Sequence, residues 1–556
     1  MARRPPTTEP PPAALTDPLG RLRASLRQAA LMLAGDATLS DLRLERPPRP
    51  DLGDYSTNAA MLLAPALGGP PRDAAQRLGE VLAEQLGDEL ERTEVAGPGF
   101  LNLFMSSGWY RAALGEMVAA GDRFGAGVPA PAERMLVEFV SANPTGPITV
   151  ASGRHAAYGD ALCRILAFAG HDVEREYYVN DHGSQVLLFG ESIGARARGA
   201  EPPEDGYRGS YVAQLADRIE DAAKRDAGEL AVVGVELMVA DVRATLERFR
   251  VSFDRFYSER SLYDDGGLER AVDRLDDHDC LYESEGARWL RTTAFGDDKD
   301  RVVTRSSGEP TYLASDIAYH ADKLARGFDR AIDVLGADHH GYVGRLRAAW
   351  EALGGDPGRL ELQIMQLVNL LEGGERAQMS KRKGEFVTLD ELIDDLGVDA
   401  ARYFLLQRNH DTTLDLDLAL AREQSQENPV YYVQYAHARI ASILRKAGEE
   451  GAAATPADEL SRSTEDPHPS ARALVKRLLE LPLEVEAAAA RRAPHRLTTY
   501  AQEVAQGFSA FYRDCRVIGA AEEGGDEGLR LAICQQAGRV IARSLSLLGV
   551  AAPERM

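Results

Sequence analysis

A chain of 556 residues is too long to close round one core, and its length suggests three or four domains. With 44% apolar and 27% charged residues the composition is that of a soluble globular protein, and no run approaches the ~20 apolar residues that a membrane helix needs. The formal net charge of −23 argues against a protein that coats nucleic acid indiscriminately, since phosphate binding draws on Lys and Arg, but it leaves room for selective RNA binding through local basic strips.

Met1 to Pro12 is Pro/Thr-rich, carries two arginines and lacks the apolar centre of a signal peptide, so residues 1–16 are expected to form a disordered tail. Residues 17 to about 125 begin with a helical pattern (Leu19, Leu22, Leu26, Ala29, Leu31) and close with Val95 to Leu103, a turn followed by an alternating strand. They read as a small α+β domain. Gly121 to Pro131, rich in Gly, Pro and Ala, reads as a linker.

From 135 the rhythm is α/β. A strand over Met135–Val140 runs into the turn Asn143-Pro144-Thr145-Gly146-Pro147 and a helix beginning near Ser152, with Ala157, Ala161, Leu162, Ile165 and Leu166 on one face. Gly170 stops that helix, and a second strand over Val173–Val179 completes a βαβ unit, hence a parallel sheet with crossover helices. Ala331–Leu335 and Leu362–Val368 are further strands, each followed by a polar loop. Ligands of open α/β sheets lie beyond the carboxyl ends of the strands, where such loops sit. Between about 190 and 300 the pattern is a charged, mostly helical insertion containing Val232 to Phe249. From Glu427 onward it is helical, apart from a loop over Glu449 to Ser470, which gives a C-terminal bundle. The expected boundaries are 17–125, 126–426 and 427–556.

Four segments invite chemistry. The turn after the first strand pairs rigid and permissive residues, so backbone can approach a ligand while the following helix aims free N–H groups at an anion; a plain strand-to-helix connection has the same pattern. Gln378-Met379-Ser380-Lys381-Arg382-Lys383-Gly384 sets three cations beside a serine and a glycine, which suits either a loop closing on polyphosphate or a solvated basic turn. Tyr312, Asp316 and His320 share one helical face, where a ring and a carboxylate could receive a guanidinium or simply pair locally. Asp338-His339-His340 lacks a third ligand at metal spacing and reads as a polar loop, so no protein-held metal is expected. Cys163, Cys280, Cys515 and Cys534 form no ligand-like pair and read as isolated buried thiols of a reducing compartment.

In their joint order these segments resemble the arginyl-tRNA synthetase family, a group of class I aminoacyl-tRNA synthetases. The match runs through Glu176–Gly183, Trp289–Arg301, Val334–Val343, Gly384–Leu392, Gly397–Leu405, Glu427–Arg439 and Leu548–Met556. The resemblance implies a Rossmann-like catalytic domain between an N-terminal α+β domain that contacts tRNA and a C-terminal helical bundle that reads the anticodon. It implies activation of arginine by ATP, with Mg2+ accompanying the nucleotide, and transfer to the 3′ end of tRNA(Arg), in a cytoplasmic monomer that binds neither membrane nor DNA.

By position, Glu138, Asn143, Asn180, Asp181, Tyr312, Asp316, Asp338 and His339 are implied to form the arginine site. ATP is implied to lie on Ala142, Asn143, Pro144, Thr145, Gly146, Pro147, Ile148, Thr149, Val150, Ala151 and Ser152, and on Gln378, Met379, Ser380, Lys381 and Arg382, with Thr149, Ser152 and Lys381 catalytic. Phe100 and Asn102 are the implied tRNA contacts of the first domain, and Arg439, Arg445 and Lys446 form a local basic strip on the C-terminal helices where an otherwise acidic chain is expected to meet tRNA.

The chain departs from the family where the family has His-Val-Gly-His. Here Thr149-Val150-Ala151-Ser152 stands instead, and Gln378 replaces the usual Lys or Arg that heads the second motif. Thr149 and Ser152 keep shorter hydroxyl donors, and the Ala151 methyl would crowd adenine; His155, three residues on, could partly substitute, although its helical position is expected to point elsewhere. Two readings follow: an arginine–tRNA ligase with a weakened ATP motif, or a catalytically weakened or inactive paralogue that binds tRNA or senses arginine. Activation of arginine for a metabolite is a third, disfavoured by the complete C-terminal bundle.

Overall fold

The computed structural model describes residues 17–35, 42–129, 131–376 and 387–556. The first unit is a four-stranded antiparallel sheet, ordered Leu44–Glu45, Tyr55–Thr57, Phe100–Met105, Leu90–Ala96. Helices Ala59–Leu67 and Pro71–Leu86 pack on it, and Pro18–Ala34 packs on those helices. Leu19, Leu22, Leu26 and Ala29 are buried as their spacing predicts, but Leu31 is exposed and Ala30 takes its place in the core.

The central sheet is wholly parallel. Its strands are β1 (Arg134–Glu138), β2 (Asp172–Val179), β3 (Arg255–Ser258), β4 (Arg330–Gly336) and β5 (Leu360–Met365), ordered β5-β4-β1-β2-β3. Helix α1 (Val150–Phe168) connects β1 to β2, and α2 (Tyr312–Ala325) precedes β4. The strand order reverses between β1 and β4, and it is at such a switch point that open α/β sheets hold ligands. α1 lies close over the sheet because Gly159 has no side chain: a Cβ there would stand 2.2 Å from the Phe139 ring. Gly159→Ala should therefore destabilise the protein by about 1–3 kcal/mol through overpacking, read as a lower urea midpoint at unchanged m.

Three expectations are corrected. β1 ends at Glu138, not Val140, because Val140 and Ser141 turn to φ 68° and 38°. The segment expected as one strand over Leu362–Val368 is two, β5 and Val368–Glu372, in different sheets. They part where the buried Arg154 guanidinium takes the carbonyls of Gln366 and Leu367 at 2.8 and 3.4 Å. The insertion is less helical than its charge suggests. It supplies β3 to the central sheet, and Leu281–Ser284, Ala287–Leu290 and Arg301–Thr304 build a separate antiparallel sheet. Four-residue strands are too short to display a period in the sequence.

A helical segment broken at Gly397 (φ 75°), α3 (Leu389–Leu405), leads to the C-terminal helices. Of these α4 (Pro429–Glu449), α5 (His495–Asp514) and α6 (Glu527–Leu547) pack together, with shorter helices Pro469–Leu478 and Leu481–Ala490 beside them. Arg402 of α3 ties the units: buried, it donates to Asp160 of α1 at 2.5 Å and to the carbonyls of Leu548 and Phe249 at 3.0 and 2.8 Å. Among the described residues no helix is long and apolar enough to cross a membrane.

Candidate active site

A cavity of about 370 Å³ opens at the carboxyl ends of β1 and β4. Its floor is a buried ionic chain. Lys323 of α2 donates to Glu138 at 2.6 Å and to Asp333 at 2.7 Å, and Asp333 also meets His320 Nε2 at 3.1 Å. Burial alone would raise Asp333, but Lys323 and His320 outweigh it and hold it low. Lys323 is thus fully engaged, its single charge shared between Glu138 and Asp333 before any ligand arrives.

Above this floor two acids lack a counter-ion. The Asp316 carboxylate has no hydrogen-bond or ion-pair partner among the described residues, and burial pushes it up to about 6. Glu259, at the end of β3 and 6% exposed, is raised to about 7, again chiefly by burial and further by Asp316 and Asp181. Desolvated carboxylates without a cation are costly, so the cavity is built to be completed by a positive ligand. The Tyr312 ring stands at the rim, 65% exposed, with its hydroxyl 3.4 Å from Ser184 Oγ.

The wall formed by the β1 turn is strained. Val140 is β-branched and left-handed, a conformation costing on the order of 1–3 kcal/mol, and local bonds hold it there. Ser141 donates to Glu138 at 2.9 Å and accepts from the Tyr178 amide at 3.1 Å. The loop beyond it, Ala142 to Pro147, is fastened by Tyr177 to the Ala142 carbonyl and by Tyr211 to the Thr145 carbonyl, each at 2.8 Å.

Thr149 is the N-cap of α1. Its hydroxyl oxygen accepts from the Ser152 amide, and the hydroxyl donates to Ser152 Oγ at 3.3 Å, so it is the Thr149 hydroxyl that caps the helix. Ala151 is exposed on the first turn. Val150 donates to the Val387 carbonyl at 3.0 Å and Leu389 to the Ile148 carbonyl at 2.8 Å. The chain emerging from the second basic segment is therefore bonded to the start of α1. Gln378, Met379, Ser380, Lys381 and Arg382 themselves lie outside the described residues.

Of the eight residues singled out for an amino-acid site, Glu138, Asn143, Asn180, Tyr312, Asp316 and His339 line this cavity. Asp181 does not: its carboxylate accepts from Ser258 at 2.5 Å and from the Arg260 amide at 2.9 Å, fixing the residues on either side of Glu259. Asp338 is exposed beside His339. The amide of Asn180 turned the other way donates to Glu259 at 2.5 Å. His155, expected to point elsewhere, lines the cavity instead. Side chains in a helix lean toward its N-terminus, so this ring covers the turn that begins the helix. Burial lowers it to about 4, leaving it uncharged near neutral pH. Glu259, Lys323 and Asp333 went unnoticed in the sequence, where no local pattern marks them.

Farther off, Phe100 is 38% exposed on its strand, whereas Asn102 is 3% exposed, so its side chain offers no outer surface. Arg439 lies over the rings of Tyr435 and Tyr512. Arg445 is exposed on the same helix, and Lys446 pairs with Glu450 at 3.7 Å. Among the described residues no cluster of three His, Cys, Asp or Glu could hold a metal ion.

Known proteins share this arrangement. Family models match residues 20–105 (arginyl tRNA synthetase N terminal domain), 210–441 (tRNA synthetases class I (R), catalytic domain) and 433–556 (DALR anticodon binding domain). An arginine–tRNA ligase of Carboxydothermus hydrogenoformans is 42% identical over 554 residues, spanning 97% of this chain and 98% of that one. The solved arginyl-tRNA synthetase of Thermus thermophilus superposes with a TM-score of 0.76 at 25% identity, covering 97% of this chain and 100% of that one. That of Plasmodium falciparum, at 16% identity and a TM-score of 0.76 over 98% and 100%, shares the fold.

Proposed function

Because this chain belongs to the arginyl-tRNA synthetase family and is an arginine–tRNA ligase, acting on arginine, ATP and tRNA, we propose that its cavity at the β1/β4 switch point is the arginine site. The observation that carries this is the pair of buried acids, Asp316 and Glu259, left without a cation. A guanidinium supplies that charge, binds carboxylates through forked hydrogen bonds and lies flat against the Tyr312 ring. Glu138, already paired with Lys323, and Asn143 and Asn180 sit nearer the β1 turn, where the α-ammonium would lie. His339 lines the cavity just beyond β4. Asp181 acts at one remove by holding Ser258 and Arg260.

ATP would lie across the start of α1, where free amides favour phosphate, with Ala142 to Ser152 beneath it. Lys381 would act on the leaving pyrophosphate, with Gln378, Met379, Ser380 and Arg382 as its companions in ATP binding. Mg2+ would travel on the phosphates, since it is held largely by phosphate and water oxygens in such sites. Arg439, with Tyr435 and Tyr512, offers a stacking surface for RNA bases, and Arg445, Lys446 and Phe100 are further candidates for tRNA contact. The four free, buried cysteines suit a reducing cytoplasm.

Charging of tRNA(Arg) tests the assignment when arginine is compared with citrulline, its uncharged isostere. Arginine should be transferred and citrulline should fail at the binding step; equal use of both would exclude the paired-acid site.

The raised acids also set a pH dependence. In the free protein they hold protons to higher pH than ordinary carboxyls, so the folded state gains stability from them as pH falls toward 5 and loses it as pH rises through 7. A bound guanidinium requires the ionised forms, which reverses the sign for binding. Arginine affinity should fall as pH drops through 7 and then 6, approaching roughly tenfold per unit for each acid once below its pKa. Calorimetric titrations between pH 8 and 5.5 check this, and a flat profile would contradict it.

A further inference from the structure

His155 stands out against the altered start of α1. Where the sequence resemblance leads one to expect imidazoles at 149 and 152, the hydroxyls present are short, and that of Thr149 is spent on capping the helix and on Ser152 Oγ. One turn on, at the i+3 position that shares a face with Ser152, an imidazole projects into the cavity. Its ring reaches the carboxyl end of β4, with Cε1 3.9 Å from where a Cβ on Gly336 would stand. It makes no hydrogen bond with any described residue, although Asp338 and His339 are close enough to act on its charge. It is the one imidazole of the cavity on α1; His320 is committed to Asp333 and to the Asp316 carbonyl, and His339 follows β4 and is exposed.

We propose that His155 contacts the reacting α-phosphate during adenylate formation, supplying from the second turn of α1 the ring N–H that Thr149 and Ser152 cannot extend to it. The inference rests on the arginine site proposed above. In the step it serves, an oxygen of the arginine carboxylate bonds to the α-phosphorus of ATP as the bond to the bridging oxygen of pyrophosphate breaks. Pyrophosphate leaves with the electron pair. No proton need move: negative charge rises on the non-bridging oxygens, and an N–H aimed at them stabilises the transition state more than the ground state. A neutral imidazole is sufficient, since it keeps one N–H whichever nitrogen carries it.

The test is arginine-dependent ATP–pyrophosphate exchange, with tRNA present, on full-length His155→Ala, His155→Gln and His155→Leu. His155→Ala should lower kcat by about 10²-fold while the KM for arginine stays within about threefold. His155→Gln, which retains an N–H at similar reach, should recover at least about a tenth of the wild-type rate, and His155→Leu, which fills the space without a donor, should not. Adding Thr149→His, Ala151→Gly and Ser152→His to His155→Ala should restore the rate by a larger factor than the same three changes give the wild-type chain. If His155→Ala keeps more than about a third of the wild-type kcat, or if Gln and Leu are equally impaired, the ring is only a wall of the cavity and the proposal fails. Should His155→Ala not fold, judged by loss of its thermal transition, the Gln and Leu pair decides alone. A wild-type chain that shows no exchange with arginine would overturn the arginine-site reading, and this inference with it; an active wild type with an indifferent His155 would overturn this inference only.

Discussion

Asp316→Asn should weaken arginine binding by roughly 2–5 kcal/mol while shifting ATP binding by less than about threefold. The size follows from burial. The carboxylate is held up to about 6 by desolvation and has no partner among the described residues, so its interaction with a guanidinium, shared with Glu259, is only weakly screened by water. The amide keeps the shape and one acceptor but removes the charge and turns a donor toward the ligand's own donors. Glu259 would remain, so binding should not vanish. Glu138→Gln should behave differently, because its charge is already taken by Lys323 at 2.6 Å, and removing it leaves a buried ammonium shared with Asp333 alone. Calorimetry with arginine and, separately, with ATP distinguishes the two variants. Equal loss for both ligands in Asp316→Asn would reject its assignment to the guanidinium.

Restoring the start of α1 should raise adenylation. Combined Thr149→His, Ala151→Gly and Ser152→His returns two ring donors and removes a methyl exposed on the first turn, and each donor of this kind is worth up to about 10²-fold in rate. The wild-type gain should be nearer one donor's worth than two, because His155 already serves the same oxygens. Stability should move the other way. Thr149 caps α1, and its loss should lower stability by about 0.5–2 kcal/mol. A faster and slightly less stable enzyme is thus the expected outcome, read by single-turnover adenylate formation beside a urea melt. No change in rate would mean that the hydroxyl pair is not what limits this chain.

How much of this was legible in the sequence depends on whether the signal is local. The Tyr312, Asp316, His320 face could be read because one helix carries it, and the Asn143–Pro147 turn because its residues permit little else. The arginine cavity as a whole could not. Glu259 reaches it only because β3 joins the central sheet beside β2, a pairing made by four residues inside a charged segment. Lys323 and Asp333 belong to consecutive elements, yet their link to Glu138 spans 185 residues of sequence. Asp181 shares a motif with Asn180, but its side chain is taken up by Ser258 and Arg260, a contact no spacing reveals. His155 was misjudged for a different reason. Its direction on the helix was legible, but the nearness of β4 to the start of α1 was not, and that nearness puts the ring in the cavity. Family resemblance brought Glu138, Asn143, Asn180 and His339 together by position, but not Glu259, Lys323 or Asp333, and it could not say what this chain's own substitutions do.

Arginine-dependent ATP–pyrophosphate exchange by the unmodified protein, with and without tRNA(Arg), bears most directly on the central claim that the cavity between β1 and β4, with its altered helix start, forms arginyl-adenylate. Exchange that requires arginine, is lost in Asp316→Asn at fixed low arginine and falls in His155→Ala is the predicted result. Exchange that persists undiminished in Asp316→Asn, or that never rises above background with arginine and tRNA together, would contradict it.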